Sequence, residues 1–252
     1  ITNKKFTIKN NKKNNYETIE DIKEIEFSNL FFKFDGENNW NLKNVNFHIS
    51  TGQISSFVGR SGSGKSTLLG LICGLLKYQK GKYLINQKNI NSLNGITNKF
   101  ISYTSQDPYL ISGSISENII WDQNPNYKRA LECLKIIDSI NLLDSLKDGL
   151  NTIIGEGALS LSSGQSQLIA IARAIYKDSK IMIFDEATNA LDTKSEEKIF
   201  KLLKKISKNK IIIIVSHQLE NLKISDNIYL LGKGKVFKQN SFDELLKNYS
   251  NE

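Results

Sequence analysis

The chain has 252 residues, of which 39% are hydrophobic and 24% charged, and these proportions allow a globular domain with a full hydrophobic core. Its formal net charge is +8, but the basic residues are mostly lysines spread along the chain, which argues against a nucleic-acid footprint. No apolar stretch approaches the roughly 18 to 20 residues of a membrane-spanning helix. The two well-separated cysteines argue against a zinc site or a disulfide framework.

Residues 1–22 are rich in Lys and Asn and poor in apolar side chains, which predicts a solvated polar linker. A basic arm that contacts anionic lipid or a partner is the alternative interpretation of this segment. The chain opens with Ile1 and its only methionine is Met182, so we expect a piece of a longer polypeptide.

The first part of the folded region is predicted to be rich in strands. Residues 24–34 and 42–50 alternate between apolar and polar side chains, as half-buried strands do, and Asp35-Gly36 marks a turn between them. Residues 53–59 form a short apolar strand. A helix is expected over residues 65 to about 76, with an apolar face made of Leu68, Leu69, Ile72 and Leu75.

The second part combines buried strands with helices. The continuous apolar runs at 180–186 and 210–217 are typical of strands that are covered on both faces of a parallel sheet. The remaining predicted elements are a strand at 99–106, a helical region at roughly 114–177 that ends in a helix over 166–176, a helix at about 194–206 and a hairpin at 227–239 that turns at 232–234. The pattern indicates an α/β core with a β-rich edge and a helical insertion.

A glycine-rich segment between the predicted strand and helix has the spacing of a phosphate-binding loop. Residues 59–66 fit the pattern G-x-x-x-x-G-K-[ST], in which glycines let backbone N–H groups converge on phosphate oxygens. Lys65 would reach the β- and γ-phosphates, and Ser66 would offer its hydroxyl to Mg²⁺. A Gly/Ser turn with a chance lysine is the alternative, and the strand–helix context argues against it. The predicted nucleotide contacts in this loop are Gly59, Arg60, Ser61, Gly62, Ser63, Gly64, Lys65, Ser66 and Thr67.

Two adjacent carboxylates follow one of the buried strands. Asp185, at the end of that strand, is placed to hold Mg²⁺, and Glu186 points differently, so it can polarise a water in line with the γ-phosphate. A strand followed by an acidic turn is the alternative interpretation, which the nearby phosphate loop makes less attractive.

The segment before the helix at 166–176 identifies a family. Leu161, Ser162, Ser163, Gly164 and Gln165 resemble the LSGGQ signature of ATP-binding cassette (ABC) proteins, with Ser163 in place of the first glycine. A serine-rich helix start is also an ordinary N-cap. The resemblance gains weight from the position of the segment before Asp185, as the family requires.

Further residues of this sequence match motif positions of that family. Gln106 matches the Q-loop glutamine that contacts Mg²⁺, residues 190–192 resemble the D-loop with Asp192, and His217 matches the switch histidine that contacts the γ-phosphate. Phe34 lies at the position of the aromatic residue that stacks on adenine, where most members have tyrosine. The alternative interpretations are a satisfied surface histidine for His217 and core packing for Phe34.

Two longer stretches narrow the class to exporters. Residues 106–119 are similar to the exporter form QDPxLFxGTIxENI, and residues 152–158 resemble the TxVGExG stretch that precedes the signature. Glu156 would face the coupling helices of a transmembrane domain. The resemblance implies a P-loop NTPase (RecA-like) core with an N-terminal antiparallel β subdomain and an α-helical subdomain inserted at about 107–177, together forming an ABC ATPase domain over 23–252.

The resemblance also implies a mechanism and partners. ATP and Mg²⁺ would be bound by the phosphate loop, Gln106 and Asp185, with Glu186, His217 and Lys65 as the catalytic residues. The signature residues and Asp192 would contact the nucleotide of a second copy in a head-to-tail homodimer. The domain would drive a transmembrane domain, expected in the same polypeptide, from the cytoplasmic face of a membrane. The alternatives are a soluble ABC ATPase that acts on nucleic acid or ribosomes, which the exporter-like stretches oppose, and the ATPase subunit of an importer.

Overall fold

The computed structural model describes residues 21–90, 99–122, 124–137, 142–143, 146–155 and 157–250. The strands are β1 (Glu24–Phe32), β2 (Leu42–Ser50), β3 (Ile54–Val58), β4 (Lys80–Ile85), β5 (Lys88–Asn89), β6 (Ile101–Thr104), β7 (Gly113–Ser114), β8 (Ile153–Ile154), β9 (Ile181–Asp185), β10 (Ile211–Val215), β11 (Asn227–Gly232) and β12 (Lys235–Gln239). The α-helices are α1 (Lys65–Ile72), α2 (Ile115–Ile119), α3 (Tyr127–Ile136), α4 (Ser163–Lys177), α5 (Thr193–Ile206) and α6 (Phe242–Ser250).

The central sheet carries the predicted buried strands. Within the described residues it has six strands in the order β12-β11-β3-β10-β9-β6, all parallel except β12, which pairs antiparallel with β11. Val215 of β10 lies level with Phe57 of β3 and with Asp185 of β9. Because the carboxyl ends of these parallel strands meet at one edge of the sheet, the loops that follow them lie side by side there.

The continuous apolar runs arise because hydrophobic cores cover both faces of this sheet. Along β10, Ile211, Ile213 and Val215 pack into one core, which also contains residues of α1 and of the N-terminal strands. Ile212 and Ile214 pack into a second core, together with residues of α4 and α5. Successive side chains of a strand point to opposite faces, so a strand between two cores needs apolar residues at every position.

An antiparallel sheet forms the N-terminal part, as predicted. Its order within the described residues is β2-β1-β4-β5, and Phe27 of β1 lies opposite Phe47 of β2 with ring centroids 4.6 Å apart. Ile22, which the sequence assigned to the end of the linker, is only 1% exposed and belongs to the adjoining core. The packed domain therefore starts slightly earlier than residue 23, and the linker prediction for residues 1–20 lies outside the described residues.

The helical insertion is more interrupted than the sequence predicted. Helices α2, α3 and α4 lie in this region, but it also contains a short antiparallel pair, made of β7 directly before α2 and β8 between α3 and α4. The bounds of the predicted subdomain at 107–177 stay a prediction. No helix in the described part of the chain combines the length and the apolar character needed to cross a membrane.

Three predicted element ends were wrong. Helix α1 ends at Ile72 and not near residue 76, because Gly74 adopts φ +68° and the N–H of Leu75 turns back to the carbonyl of Gly70. Leu75, predicted on the apolar face, is therefore 79% exposed. Helix α4 begins at Ser163, three residues before the predicted start, and β6 ends at Thr104, so Gln106 lies in the following loop. The hairpin of β11 and β12 is confirmed.

Candidate active site

The phosphate loop connects the end of β3 to the start of α1, where the sequence placed it. Gly62 and Gly64 have φ of +79° and +105°, a conformation that side chains with a Cβ adopt with strain. Gly59 is needed for a different reason: a Cβ at this position would lie 2.4 Å from the carbonyl oxygen of Leu231 in β11. Gly64 is the N-cap of α1 and makes no side-chain cap bond, so the helix begins with its N–H groups directed toward the loop.

Lys65 lies folded over this loop. Its Nζ donates to the carbonyl oxygens of Gly59 at 2.7 Å and of Arg60 at 3.0 Å. Burial lowers the pKa of Lys65, and the nearby carboxylates of Glu186 and Asp185 oppose that shift. The ammonium group is thus held next to the loop, and the carboxylates of Glu186 and Asp185 lie near it.

The loop has the chemistry that a nucleotide phosphate requires. Ser63 Oγ is buried and has no hydrogen-bond partner within the described residues, and a phosphate oxygen is an acceptor that would satisfy it. Ser66 is exposed in the first turn of α1. Its hydroxyl and the carboxylate of Asp185 are hard oxygen donors of the kind that Mg²⁺ takes together with phosphate oxygens. The residues present therefore fit a nucleotide with Mg²⁺.

Asp185 ends β9 on the same sheet edge. Its Oδ2 accepts a 2.6 Å hydrogen bond from the hydroxyl of Tyr103 in β6. Burial raises the pKa of Asp185 and Glu186 adds to the rise, while the Tyr103 hydrogen bond and Lys65 oppose it. The sequence analysis missed Tyr103, because its hydrogen bond to Asp185 joins two strands that lie far apart in the chain.

Glu186 has the backbone strain that the sequence could not reveal. Its φ is +52°, a left-handed conformation that is uncommon for residues other than glycine, and its N–H bonds to the carbonyl of Val215 at 2.9 Å. Its Oε2 lies 3.1 Å from Nδ1 of His217 and accepts a 2.9 Å hydrogen bond from Nδ2 of Asn189. Glu186 therefore has partners different from those of Asp185, and one of them is His217, which the sequence analysis predicted as a contact of the γ-phosphate.

Gln106 and Phe34 are the two predicted nucleotide contacts that lie outside the phosphate loop. Gln106 is exposed after β6, and its carbonyl oxygen accepts a 3.0 Å hydrogen bond from Nε2 of Gln167. Phe34 is 43% exposed and therefore not a core residue, although its ring lies edge-on to Phe32. Its N–H bonds to Oδ1 of Asn41. Asn41 is next to the phosphate loop, because a Cβ on Gly64 would lie 3.7 Å from the Asn41 carbonyl oxygen.

The signature segment forms the start of α4. Ser162 is the N-cap: its Oγ accepts from the N–H of Gln165 at 3.2 Å, and Gln165 Oε1 accepts from the N–H of Ser162 at 2.9 Å. Gly164 packs against the D-loop, since a Cβ there would lie 2.8 Å from the carbonyl oxygen of Ala190. Asp192 caps α5. Leu161 and Ser163 flank the cap, and the capping interpretation of this serine-rich segment is correct for the contacts within the chain.

Gln167 is a second residue that the sequence analysis missed. It is 2% exposed on the face of α4 that also carries Ala170, Ile171 and Ala174. A glutamine at an apolar position of a helix was the available signal, because a buried amide needs partners on both sides. The predicted contact of Glu156 with a transmembrane domain lies outside the described residues.

Comparison with known proteins shows which family this chain resembles. The family model described as ABC transporter matches residues 42–189. A putative export ATP-binding/permease protein of Rickettsia bellii is 37% identical over 238 residues, which cover 93% of this chain and 41% of that protein. An ATP-dependent lipid A-core flippase of Wigglesworthia glossinidia brevipalpis is 37% identical over 228 residues, 89% of this chain and 39% of that protein.

A solved structure shows the same fold. It is a bacterial Atm1-family ABC exporter with ATP bound, which superposes with a TM-score of 0.84 at 28% identity over 93% of this chain and 42% of that chain. The chain thus spans about two fifths of the length of the relatives it matches. The matched segment contains the phosphate loop, the signature and the acidic pair. The chain belongs to the ABC transporter family.

Proposed function

We propose that this chain is the ATP-binding and ATP-hydrolysing domain of an ABC exporter. One observation carries the proposal: the phosphate loop, Asp185, Glu186 and His217 all follow strands of the central sheet that end at the same edge. A phosphate-binding loop would then lie beside an acid that can hold Mg²⁺ and a carboxylate that can accept a proton.

The residues divide the reaction between them. Backbone N–H groups at the start of α1 and the ammonium of Lys65 would bind the β- and γ-phosphates and stabilise the charge that develops during transfer. Asp185 and Ser66 would hold Mg²⁺, which when bound neutralises charge on the phosphate oxygens. Glu186 would accept the proton of the attacking water, while His217 and Asn189 hold its carboxylate.

A second copy of the chain would complete each site. Ser162 and Gly164 would approach the γ-phosphate of the partner's ATP from the start of α4, and Asp192 lies at the start of α5 near the same turn. The exporter structure that shares this fold has ATP bound, which supports ATP as the ligand of the proposed site. ATP would then join two copies, and hydrolysis would release them.

A cleft next to the Gln106 loop is a suitable surface for a transmembrane domain. It has a volume of about 740 Å³ and is lined by residues of β6, α4 and the segment between them. Tyr109 and Trp121 are 76% and 64% exposed there, and the guanidinium of Arg173 lies 4.7 Å from the centre of the Trp121 ring. Exposed aromatic and arginine side chains are enriched at protein interfaces. Such docking would place the domain at the cytoplasmic face of a membrane.

Export is the direction that the comparisons favour over the alternatives. The relatives include proteins described as export ATP-binding/permease proteins and a leukotoxin export ATP-binding protein of Aggregatibacter actinomycetemcomitans. Sequencing the gene upstream of Ile1 tests this arrangement. About six hydrophobic spans there would support an exporter, and a start codon directly before Ile1 would contradict it.

The nucleotide site itself is tested by Lys65→Ala. We expect the dissociation constant for ATP to rise roughly 10- to 100-fold, because charge-assisted hydrogen bonds to phosphate are lost. Lys210→Ala is the matched control, since Lys210 also donates to two backbone carbonyls, at 2.9 Å each, but far from the loop in sequence. Binding is measured with a fluorescent ATP analogue, and an unchanged affinity in Lys65→Ala would contradict the assignment of the loop.

A further inference from the structure

Gln167 joins two loops of the active site through one buried side chain. Its Nε2 donates to the carbonyl oxygen of Gln106 and its Oε1 accepts from the N–H of Ala190, both at 3.0 Å. Gln106 is 61 residues away along the chain and Ala190 is 23. With 2% of its surface exposed, Gln167 exchanges neither bond for water, so the two loops are tied to the same point of α4.

Ala190 is held by α4 at a second point. Gly164 lies so close that a Cβ on it would be 2.8 Å from the carbonyl oxygen of Ala190. Gly164 and Gln167 are three residues apart, so they lie on the same side of the helix. The N–H of Ala190 is therefore bonded to α4 while its carbonyl group packs against α4, and the position of this residue is fixed.

Asn189 extends this connection to Glu186. Its Nδ2 donates to Oε2 of Glu186 at 2.9 Å, whereas its Oδ1 is buried without a hydrogen-bond partner in the described part of the chain. The reversed amide would place Oδ1 against the carboxylate, so Glu186 itself determines the orientation of Asn189. The Asn189 N–H also bonds to the carbonyl of Glu186 at 3.3 Å, which closes the turn between them.

We propose that Gln167 and Asn189 are positioning residues that hold the carboxylate of Glu186 and connect it to the loop at Gln106. The path runs from the Gln106 carbonyl through the Gln167 amide to the N–H of Ala190, and from the neighbouring Asn189 to Glu186. The proposal rests on the proposed function, because it concerns the base of that reaction. Under this proposal, the second turn of α4 has a role separate from that of the signature residues at the start of the helix.

The first experiment measures the connection without nucleotide. Hydrogen exchange of the Ala190 backbone N–H is compared between the wild-type 252-residue chain, Gln167→Met and Gln239→Met. Gln239 is a matched control, since it is also buried and its amide also makes two hydrogen bonds, to Phe237 and Asn248. We expect exchange at Ala190 to become about tenfold faster in Gln167→Met and to stay at the wild-type rate in Gln239→Met.

The second experiment measures catalysis with Gln167→Met, Asn189→Ala and the double variant. Each single change should lower kcat about tenfold while the KM for ATP stays within about twofold, since the phosphate loop is untouched. If both residues act along one connection, the double variant should lose little more than the single variants. A loss equal to the product of the two single effects would overturn the proposal.

The two experiments separate this proposal from the one on which it rests. An absence of ATP hydrolysis by the wild-type chain would overturn the proposed function. Exchange at Ala190 that is the same in Gln167→Met as in the wild type would overturn the connection alone. Asn189→Ala provides a kinetic test that does not depend on the folding of Gln167→Met, and a normal kcat in this variant would also overturn the proposal.

Discussion

The first turn of a helix contains N–H groups without a partner inside the helix, and two helices of this molecule differ in how they satisfy them. The N-cap of helix α1 is Gly64, which adopts φ +105° and offers no side-chain bond to the first N–H groups. The N-cap of helix α4 is Ser162, whose hydroxyl accepts from the N–H of Gln165 in a complete capping box. The first helix leaves its N–H groups for a ligand, whereas the second satisfies part of its own start.

Under the proposed function, this difference separates a site that one chain can fill from one that a second chain would complete. An anion can bind at the start of α1 directly, with Lys65 beside it. At the start of α4 the remaining groups are the Ser162 hydroxyl, which can still donate its hydrogen, and the N–H groups of Ser163 and Gly164. We therefore expect changes near α1 to alter ATP binding, and changes at the start of α4 to alter the reaction of paired chains without altering ATP binding by a single chain.

The largest effect is expected for Glu186→Gln, which separates binding from hydrolysis. The variant should bind ATP normally but lose about 10²- to 10⁴-fold in turnover, because the amide cannot accept the proton of water. It should also accumulate as an ATP-bound dimer in size-exclusion chromatography. Glu197→Gln, an exposed glutamate of α5, is the control. Turnover near that of the wild type would remove Glu186 from the role of base.

Ser162→Ala tests the second helix start against a matched cap. Ser114 forms the same kind of capping box with Glu117 at the start of α2. Both Ser162→Ala and Ser114→Ala should lower the free energy of unfolding by about 1 kcal/mol, measured by urea denaturation. Only Ser162→Ala should also lower phosphate release, by about tenfold, while single-chain ATP binding is retained. Equal phosphate release in both variants would limit the role of Ser162 to capping α4 and would exclude a role in the reaction of paired chains.

Phe34→Ala should have a smaller effect, on ATP binding alone. Loss of an aromatic stacking face should raise the dissociation constant for ATP about fivefold. Phe237→Ala is a suitable control, since the two rings have similar exposures, 43% for Phe34 and 46% for Phe237. An equal affinity in both variants, measured by calorimetry, would place the adenine away from Phe34.

Asp185→Asn should stabilise the chain slightly in the absence of nucleotide. Burial raises the pKa of Asp185 above its ordinary 3.8, so the folded chain retains this proton at pH values where the unfolded chain has lost it. Ionisation of Asp185 therefore opposes folding above that ordinary value, and asparagine avoids this cost. We expect a higher melting temperature than the wild type at neutral pH, a difference that disappears below about pH 3.8, and weaker binding of Mg²⁺ with ATP.

Much of the fold could be predicted because it depends on patterns of neighbouring residues. The apolar runs of β9 and β10, the hairpin of β11 and β12 and the strand–loop–helix unit at residues 54–72 all follow from local periodicity and glycine placement. The ends of elements were less predictable. Helix α1 stops at Ile72 because Gly74 turns the chain back, whereas the sequence analysis placed Leu75 on a continuing apolar face.

The residues of the candidate site also differ in how well the sequence predicts them. Sequence motifs predicted the phosphate loop, Asp185 and Glu186, since these residues follow recognisable strands, and the family resemblance added His217. Tyr103, Gln167 and Asn189 carry no such pattern, because each acts through a contact with a residue of another segment or across a turn. The alternative interpretations of Phe34 and Ser162 were also decided only by exposure and by hydrogen bonds.

The amino-acid sequence by itself determined which strands are buried on both faces. It also determined where a phosphate can approach the backbone and which acidic residues come at the end of a strand. These properties depend on side-chain type and spacing along one segment. Only the tertiary structure decided that Gly59 must be glycine because β11 lies against it, that Glu186 adopts a left-handed backbone and that one glutamine ties two loops together. Such features arise from distances between segments far apart in the chain, which no local pattern encodes.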